Sequence, residues 1–291
     1  MNVEHRPIRT VSAGPVRWRR TMDLPDARTA INEIAARGEG LKTPLFLDYD
    51  GTLTPLVARP EQAELSGRMR RVLERLSDWI TIAVVSGRGL ADVRARVGLD
   101  RLFYAGSHGF EIDGPGDPRL PIEIGRDALP ALDEAEKRLR RRLAGIAAAV
   151  MERKRFSLAV HYRCADDRQS ATIEKQVDEV LQGCSGLRKG HGKKVFELQP
   201  DLDWDKGRAV LWLMAGWGPP AENSRPIYIG DDVTDEDAFR VLQGSGAGIV
   251  VHGGEDRRTS ARYGLPGPND VLEFLRNLAA AVERDGPSVQ G

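Results

Sequence analysis

The chain has little of what several protein classes need. Its 291 residues include two cysteines, Cys164 and Cys184. Two thiols make no disulfide framework and no metal-ligand pair by spacing. Reduced thiols in a cytosolic protein are expected, with a single bridge as the alternative. No apolar run approaches the ~18 residues of a membrane span. Arg6, Arg9, Arg17, Arg19 and Arg20 crowd the start of the chain without a continuous apolar block. A secretory signal is therefore not expected, and residues 1–25 read as a flexible basic tail, with targeting as the alternative. Net charge is also missing: 43 Lys and Arg stand against 43 Asp and Glu. That leaves no basic footprint for nucleic acid and no polybasic case for a membrane surface, so any recognition of an anion must be local. There is no internal repeat and no long low-complexity segment.

What is present gathers at strand ends. Leu45-Phe46-Leu47 is an apolar strand running into Asp48-Tyr49-Asp50, with Gly51 at once behind. Side chains alternate along a strand, so Asp48 and Asp50 point the same way while the chain stays extended. Two carboxylates brought together are costly unless positive charge lies between them. A magnesium ion with a phosphate ester would supply it. The arrangement recurs: Ile80 to Val85 ends in Ser86-Gly87-Arg88, and Ile227-Tyr228-Ile229 ends in Gly230-Asp231-Asp232. Ligands of open parallel sheets bind outside such ends, so one site could collect all three.

Strands alternate with amphipathic segments. Met69, Val72, Leu73 and Leu76 predict a helix over 66–77, and a short helix over 26–37 precedes the first strand. This alternation predicts an α/β core, a Rossmann-like doubly wound parallel sheet, over residues 26–125 and 199–291. The pattern changes after the turn-rich Gly114 to Pro118. Residues 126–198 predict an inserted α+β unit. It holds an arginine-studded helix, a strand over 150–163 with one wet face, a helix over 169–182, and a hairpin turn at 189–193 before a strand over 194–198.

These motifs resemble those of the haloacid dehalogenase (HAD) superfamily: Asp48-Tyr49-Asp50-Gly51-Thr52 its first, Ser86-Gly87-Arg88 its second, Lys206 its third, and Gly230-Asp231-Asp232 with Asp235 its fourth. Within it the chain resembles the trehalose-6-phosphate phosphatases, through Asp48 to Pro55, Val85 to Arg88, Gly106 to Glu111, Asp205 to Ala209 and Gly230 to Phe239. The resemblance covers roughly residues 40 to 280.

The resemblance implies hydrolysis of trehalose 6-phosphate in a cytoplasmic, monomeric enzyme, with the 126–198 unit as a mobile cap. Asp48 would be the nucleophile, forming an aspartyl-phosphate, and Asp50 the general acid and then base. Lys206 would neutralise charge shared by Asp48 and phosphate. Mg2+ would be held by Asp48, the Asp50 carbonyl and Asp231, with Asp232 and Asp235 contributing directly, through water, or by orienting the loop. Ser86, Gly87 and Arg88 would meet the phosphate, the last two at a helix N-terminus. Glu152, Lys154 and Glu197 would hold sugar hydroxyls, with Phe156 on the same strand face and His108, His161 and Arg163 as lesser candidates. Plainer readings stand beside these. Ser86-Gly87 alone is a turn or cap, Lys206 alone a solvated lysine, and Asp231 to Asp237 a helix start. Glu152 and Lys154 alone suit a wet sheet face, and His108 between glycines suits a turn. Rival functions are another sugar-phosphate phosphatase of the superfamily, and a non-catalytic module that binds trehalose phosphate.

Overall fold

The computed structural model describes residues 15–35, 43–57, 59–192, 194–217 and 225–285. The chain divides into two compact units: residues up to Ile122 together with those from Trp204 on, and residues Glu123–Asp203 between them. A two-residue strand, β1 (Arg19–Arg20), precedes α1 (Ile31–Ile34) and β2 (Leu45–Leu47). Next come α2 (Gly67–Ser77), β3 (Ile82–Val85), α3 (Leu90–Val97), β4 (Phe103–Gly106), β5 (Glu111–Asp113) and β6 (Ile122–Glu123). The inserted unit holds α4 (Leu129–Leu143), β7 (Val150–Arg153), β8 (Leu158–His161), α5 (Asp167–Gln182), β9 (Leu187–Gly192) and β10 (Val195–Pro200). The chain returns through α6 (Lys206–Gly216), β11 (Ile227–Gly230), α7 (Glu236–Leu242), β12 (Ala247–Val251), β13 (Arg258–Thr259), β14 (Tyr263–Leu265) and α8 (Pro268–Asp285).

The large sheet runs β14-β12-β11-β2-β3-β4-β5-β6. Every pairing from β14 to β4 is parallel, and β5 lies antiparallel to β4. Strands buried on both faces read as unbroken apolar runs, and no residue of β2, β3, β11 or β12 is exposed. Their side chains split by alternation. Leu45, Leu47, Ile82, Val84 and Ile229 pack with Leu73 and Leu76 of α2 and Phe274 and Leu278 of α8. Phe46, Val85, Tyr228 and Val250 pack with Val210 and Leu213 of α6 and Phe239 and Leu242 of α7. Each such leucine contributes about 2 kcal/mol by leaving water. Helices on both faces make this the doubly wound sheet expected. From central β2 the chain winds to β3 and β4 on one side and to β11, β12 and β14 on the other. The junction of β2 and β11 is thus the point where the winding reverses, and open α/β sheets bind ligands outside the carboxyl ends of the strands at such a point.

The inserted unit is an antiparallel sheet, β7-β8-β10-β9. One face carries Leu158, Val160, Phe196 and Leu198 onto Leu132 and Leu139 of α4 and Ile173 and Val177 of α5. Its edges reach a few residues beyond the expected 126–198. Glu123 is tied to Arg155 at 2.9 Å, and Leu202 packs against Gly125.

Several expectations need correction. Residues 19–25 are not a tail: β1 pairs antiparallel with β13, and Thr21 is buried. A two-residue strand has no periodicity to betray it. Residues 1–14, with Arg6 and Arg9, lie outside the described residues. The helix expected over 26–37 is a 3-10 turn, Ala27–Ala30, followed by the single turn of α1; residues 36 and 37 lie outside the described residues. The strand expected over 150–163 is the hairpin β7–β8, closed by the Lys154 N–H donating to the Ser157 carbonyl at 2.9 Å. Phe156 sits in that turn, fully buried, rather than on the face of Glu152. The turn expected at 189–193 falls largely within β9, where Lys189 is drawn onto Glu174 at 3.0 Å and onto Asp178; Lys193 lies outside the described residues. Cys164 and Cys184 are both free. Among the described residues no helix is long and apolar enough to cross a membrane.

Candidate active site

Just past β2, the Asp48 N–H donates to the Ile229 carbonyl at 2.9 Å, so the first carboxylate is fixed by the β2–β11 junction itself. Asp48 is 5% exposed. Its Oδ1 accepts from Nζ of Lys206 at 2.9 Å. Lys206 opens α6, whose start is capped by Asp205 accepting from the Arg208 N–H at 2.8 Å. The same Nζ donates to Oδ1 of Asp235 at 2.7 Å, and the Tyr228 hydroxyl donates to that oxygen, also at 2.7 Å. Lys206 and Asp235 are buried. Burial alone would favour a neutral amine, but Asp235 and Asp48 outweigh it and hold the Lys206 ammonium above its ordinary pKa.

Asp231, at the end of β11, completes the cluster. Oxygens of Asp48, Asp231 and Asp235 lie within 4.8 Å of one another. Thr52 donates to Oδ1 of Asp231 at 3.1 Å. Gly51 is obligatory beneath it: φ is +79°, and a Cβ there would lie 2.1 Å from the Asp231 carboxylate. Burial pushes the Asp48 carboxyl well above the usual range, with Lys206 opposing and Asp235 and Asp231 adding to the shift. Burial, then Asp235, pushes Asp231 up to about 7 against the pull of Lys206. Three carboxylates face one ammonium. That surplus of hard, anionic oxygen matches the donor set Mg2+ takes.

Asp50 is held elsewhere. Arg88 grips it with two parallel bonds, Nε to Oδ2 at 2.7 Å and Nη2 to Oδ1 at 2.6 Å. The guanidinium is 8% exposed, donates to Asp92 at 2.9 Å and lies over the Tyr49 ring. Arg88, expected to meet the phosphate, here makes a bidentate pair with Asp50, the geometry that planar guanidinium favours. Ser86 is buried and its Oγ accepts from the Arg88 N–H at 3.2 Å, which leaves the hydroxyl proton for another acceptor. Gly87 permits a close approach, since a Cβ would lie 2.7 Å from the His108 ring. His108 itself sits at φ +57°, its N–H donating to the Ser86 carbonyl at 2.9 Å.

Asp232 is not part of the cluster. It is exposed, and it caps the turn Val233–Asp235 while its own N–H donates to Oδ2 of Asp235 at 2.9 Å. In the inserted unit, Glu152 pairs with Ala159 and Ala159 with Glu197, so both carboxylates stand in one cross-strand row on the sheet face away from the helices. Lys154 lies 4.0 Å and His161 3.1 Å from Glu152. Two groups had no signal in the sequence reading: Tyr228, an apolar-strand residue by pattern, and Arg257, whose Nη2 donates to the Asp231 carbonyl at 3.0 Å.

A family model described as trehalose-phosphatase matches residues 46–269. Probable trehalose-phosphate phosphatase 3 of Oryza sativa subsp. japonica is 39% identical over 271 residues, spanning 87% of this chain and 74% of that protein. The trehalose-6-phosphate phosphatase of Aspergillus fumigatus superposes with a TM-score of 0.65 at 26% identity, over 89% of this chain and 99% of that one. A haloacid dehalogenase-like hydrolase from Bacteroides thetaiotaomicron, at 17% identity, shares the fold with a TM-score of 0.56, over 84% of this chain and 99% of that one. This chain belongs to the trehalose-phosphatase family and carries the haloacid dehalogenase-like fold.

Proposed function

We propose that the chain is a Mg2+-dependent phosphatase that hydrolyses trehalose 6-phosphate to trehalose and phosphate through a phosphoryl group carried on Asp48. The observation that carries this reading is the buried Lys206 ammonium joining Asp48 to Asp235, with Asp231 beside them. A phosphate monoester resists hydrolysis because it is an anion, so a nucleophile must approach within a field of positive charge. Lys206 holds Oδ1 of Asp48 and leaves Oδ2 as the attacking oxygen. Attack forms the Asp48 O–P bond as the ester P–O bond breaks, and Asp50 gives its proton to the departing sugar oxygen. Water then attacks the same phosphorus, Asp50 takes its proton, and Asp48 is released. Asp50 has both oxygens on Arg88, so Arg88 must yield one of them for this exchange. The Ser86 hydroxyl, whose oxygen accepts from the Arg88 N–H, would donate its proton to a phosphoryl oxygen.

Asp48, Asp231, Asp235 and the Asp50 carbonyl would hold Mg2+, which when bound neutralises phosphoryl charge. Asp232 orients Asp235 rather than serving as a ligand in this scheme. Glu152, Lys154, Glu197 and His161 would grip sugar hydroxyls, which charged donors and acceptors bind well. The family supports a small-molecule sugar-phosphate substrate, and the free thiols favour a reducing compartment such as the cytoplasm.

Phosphate release from a sugar-phosphate panel, with and without Mg2+, tests the proposal. Trehalose 6-phosphate should be turned over far faster than glucose 6-phosphate, and only with metal. Equal rates would favour a broader sugar-phosphate phosphatase, and binding without release would favour a regulatory module.

A further inference from the structure

Arg257 lies outside every motif used so far, yet its side chain ends on the metal loop. Nη2 donates to two consecutive carbonyls, Asp231 at 3.0 Å and Asp232 at 3.3 Å. Nη1 donates to Oε1 of Glu236 at 2.6 Å. The other oxygen of Glu236 accepts from the Ser260 N–H at 2.7 Å and the Ser260 hydroxyl at 2.8 Å. Glu236 is buried, and the Arg257 side chain is 16% exposed. The backbone of Arg257 is pinned in turn: Thr21 donates its N–H to the Arg257 carbonyl at 2.9 Å, and its hydroxyl accepts from the Arg257 N–H at 3.1 Å. The charge on Glu236 accounts for one end of the guanidinium. It does not account for the other end, which is spent on the carbonyls of the loop presenting Asp231.

We infer that Arg257 is a positioning residue for the divalent-cation site. It holds Asp231 from the backbone side while Thr52 holds the carboxylate, and it is anchored by Glu236 and by the segment around Thr21. The inference rests on the metal-site reading proposed above. Planarity matters here, because a guanidinium can span a carboxylate and two carbonyls at once, whereas an ammonium on one stem cannot. Groups that orient metal ligands without touching the metal typically change affinity about 10–100-fold when removed.

The test uses the full chain and Mn2+ as the probe. Free Mn2+ is titrated by electron paramagnetic resonance, alongside the Mg2+ concentration for half-activation and the KM for trehalose 6-phosphate at saturating metal. Arg257→Met should weaken Mn2+ binding and raise the Mg2+ requirement together by about 10-fold or more. KM and kcat at saturating metal should stay within a few-fold, and Arg257→Lys should recover part of the loss. A folded Arg257→Met with wild-type Mn2+ affinity overturns the inference, as does a fall in kcat without any change in metal affinity. Should Arg257→Met fail to fold, Glu236→Gln carries the same test: weaker Mn2+ binding supports the anchor, unaltered binding overturns it. Wild-type protein that neither binds Mn2+ nor responds to Mg2+ would sink the metal site itself, a result distinct from equal binding by wild type and variant.

Discussion

Nζ of Lys206 stands 2.7 Å from Oδ1 of Asp235, and both groups are shut away from water. The same ammonium reaches Asp48 at 2.9 Å, so the first residue of α6 joins the end of β2 to the turn that follows β11 electrostatically. Breaking a buried pair by removing one partner leaves uncompensated charge and costs about 3–5 kcal/mol. Lys206→Met should lose stability on that scale in denaturant unfolding, and added Mg2+ should recover part of it. A loss within experimental error would mean the ammonium carries no charge balance here.

Arg88 and Asp50 give a prediction about the leaving group. Weakening the grip should upset the proton exchange of Asp50 more than binding. Arg88→Lys, which cannot make the bidentate pair, should lower kcat on trehalose 6-phosphate by about 100-fold, the low end of general acid–base effects. Turnover of p-nitrophenyl phosphate, whose leaving oxygen needs no proton, should fall less, because only the second, water-activating step still calls on Asp50. Equal losses on the two substrates would remove the positioning role.

Glu152 and Glu197 share a cross-strand row that includes the small side chain of Ala159. Glu152→Ala should raise KM or lower kcat/KM for trehalose 6-phosphate at least about 10-fold, as expected for a lost charge-assisted contact. A small artificial phosphate ester should be turned over as before. Parallel losses would count against sugar recognition by this face.

Asp237, outside the cluster of Asp48, Asp231 and Asp235, supplies a separable part of the pH dependence. Burial, then Asp205, pushes its carboxyl up to about 6 from an ordinary 3.8, against the pull of Arg240. Between those values the folded chain keeps a proton that the unfolded chain releases, so the Asp237 contribution to stability should fall as pH rises from about 4 to about 6 and then level off, while Asp231, raised to about 7, extends the decline. Asp237→Asn should make that segment of the Tm profile shallower. An unchanged slope would assign it to other groups.

Much of this was legible in the residues. Strands buried on both faces announce themselves as apolar runs, and Asp48, Asp50 and Asp231 stand where those runs end, whereas Lys206, which opens α6, was legible only through the family resemblance. The rest depends on partners distant in the chain. Arg88 finds Asp50 across 38 positions and Arg257 finds Asp231 across 26, and no local periodicity encodes either. The hairpin β7–β8 was hidden because alternation reads straight through a short turn. Asp232 and Asp235 differ by one structural fact, which of them caps the turn and which faces Lys206. Only the folded loop decides that.

The most direct test is to mix the chain with trehalose 6-phosphate and Mg2+, quench in acid within one turnover, and map the phosphoryl group by mass spectrometry. It should sit on the peptide containing Asp48, and Asp48→Asn should carry none and lose at least about a thousandfold in kcat. Wild-type turnover by Asp48→Asn, with the label elsewhere or absent, would contradict the account.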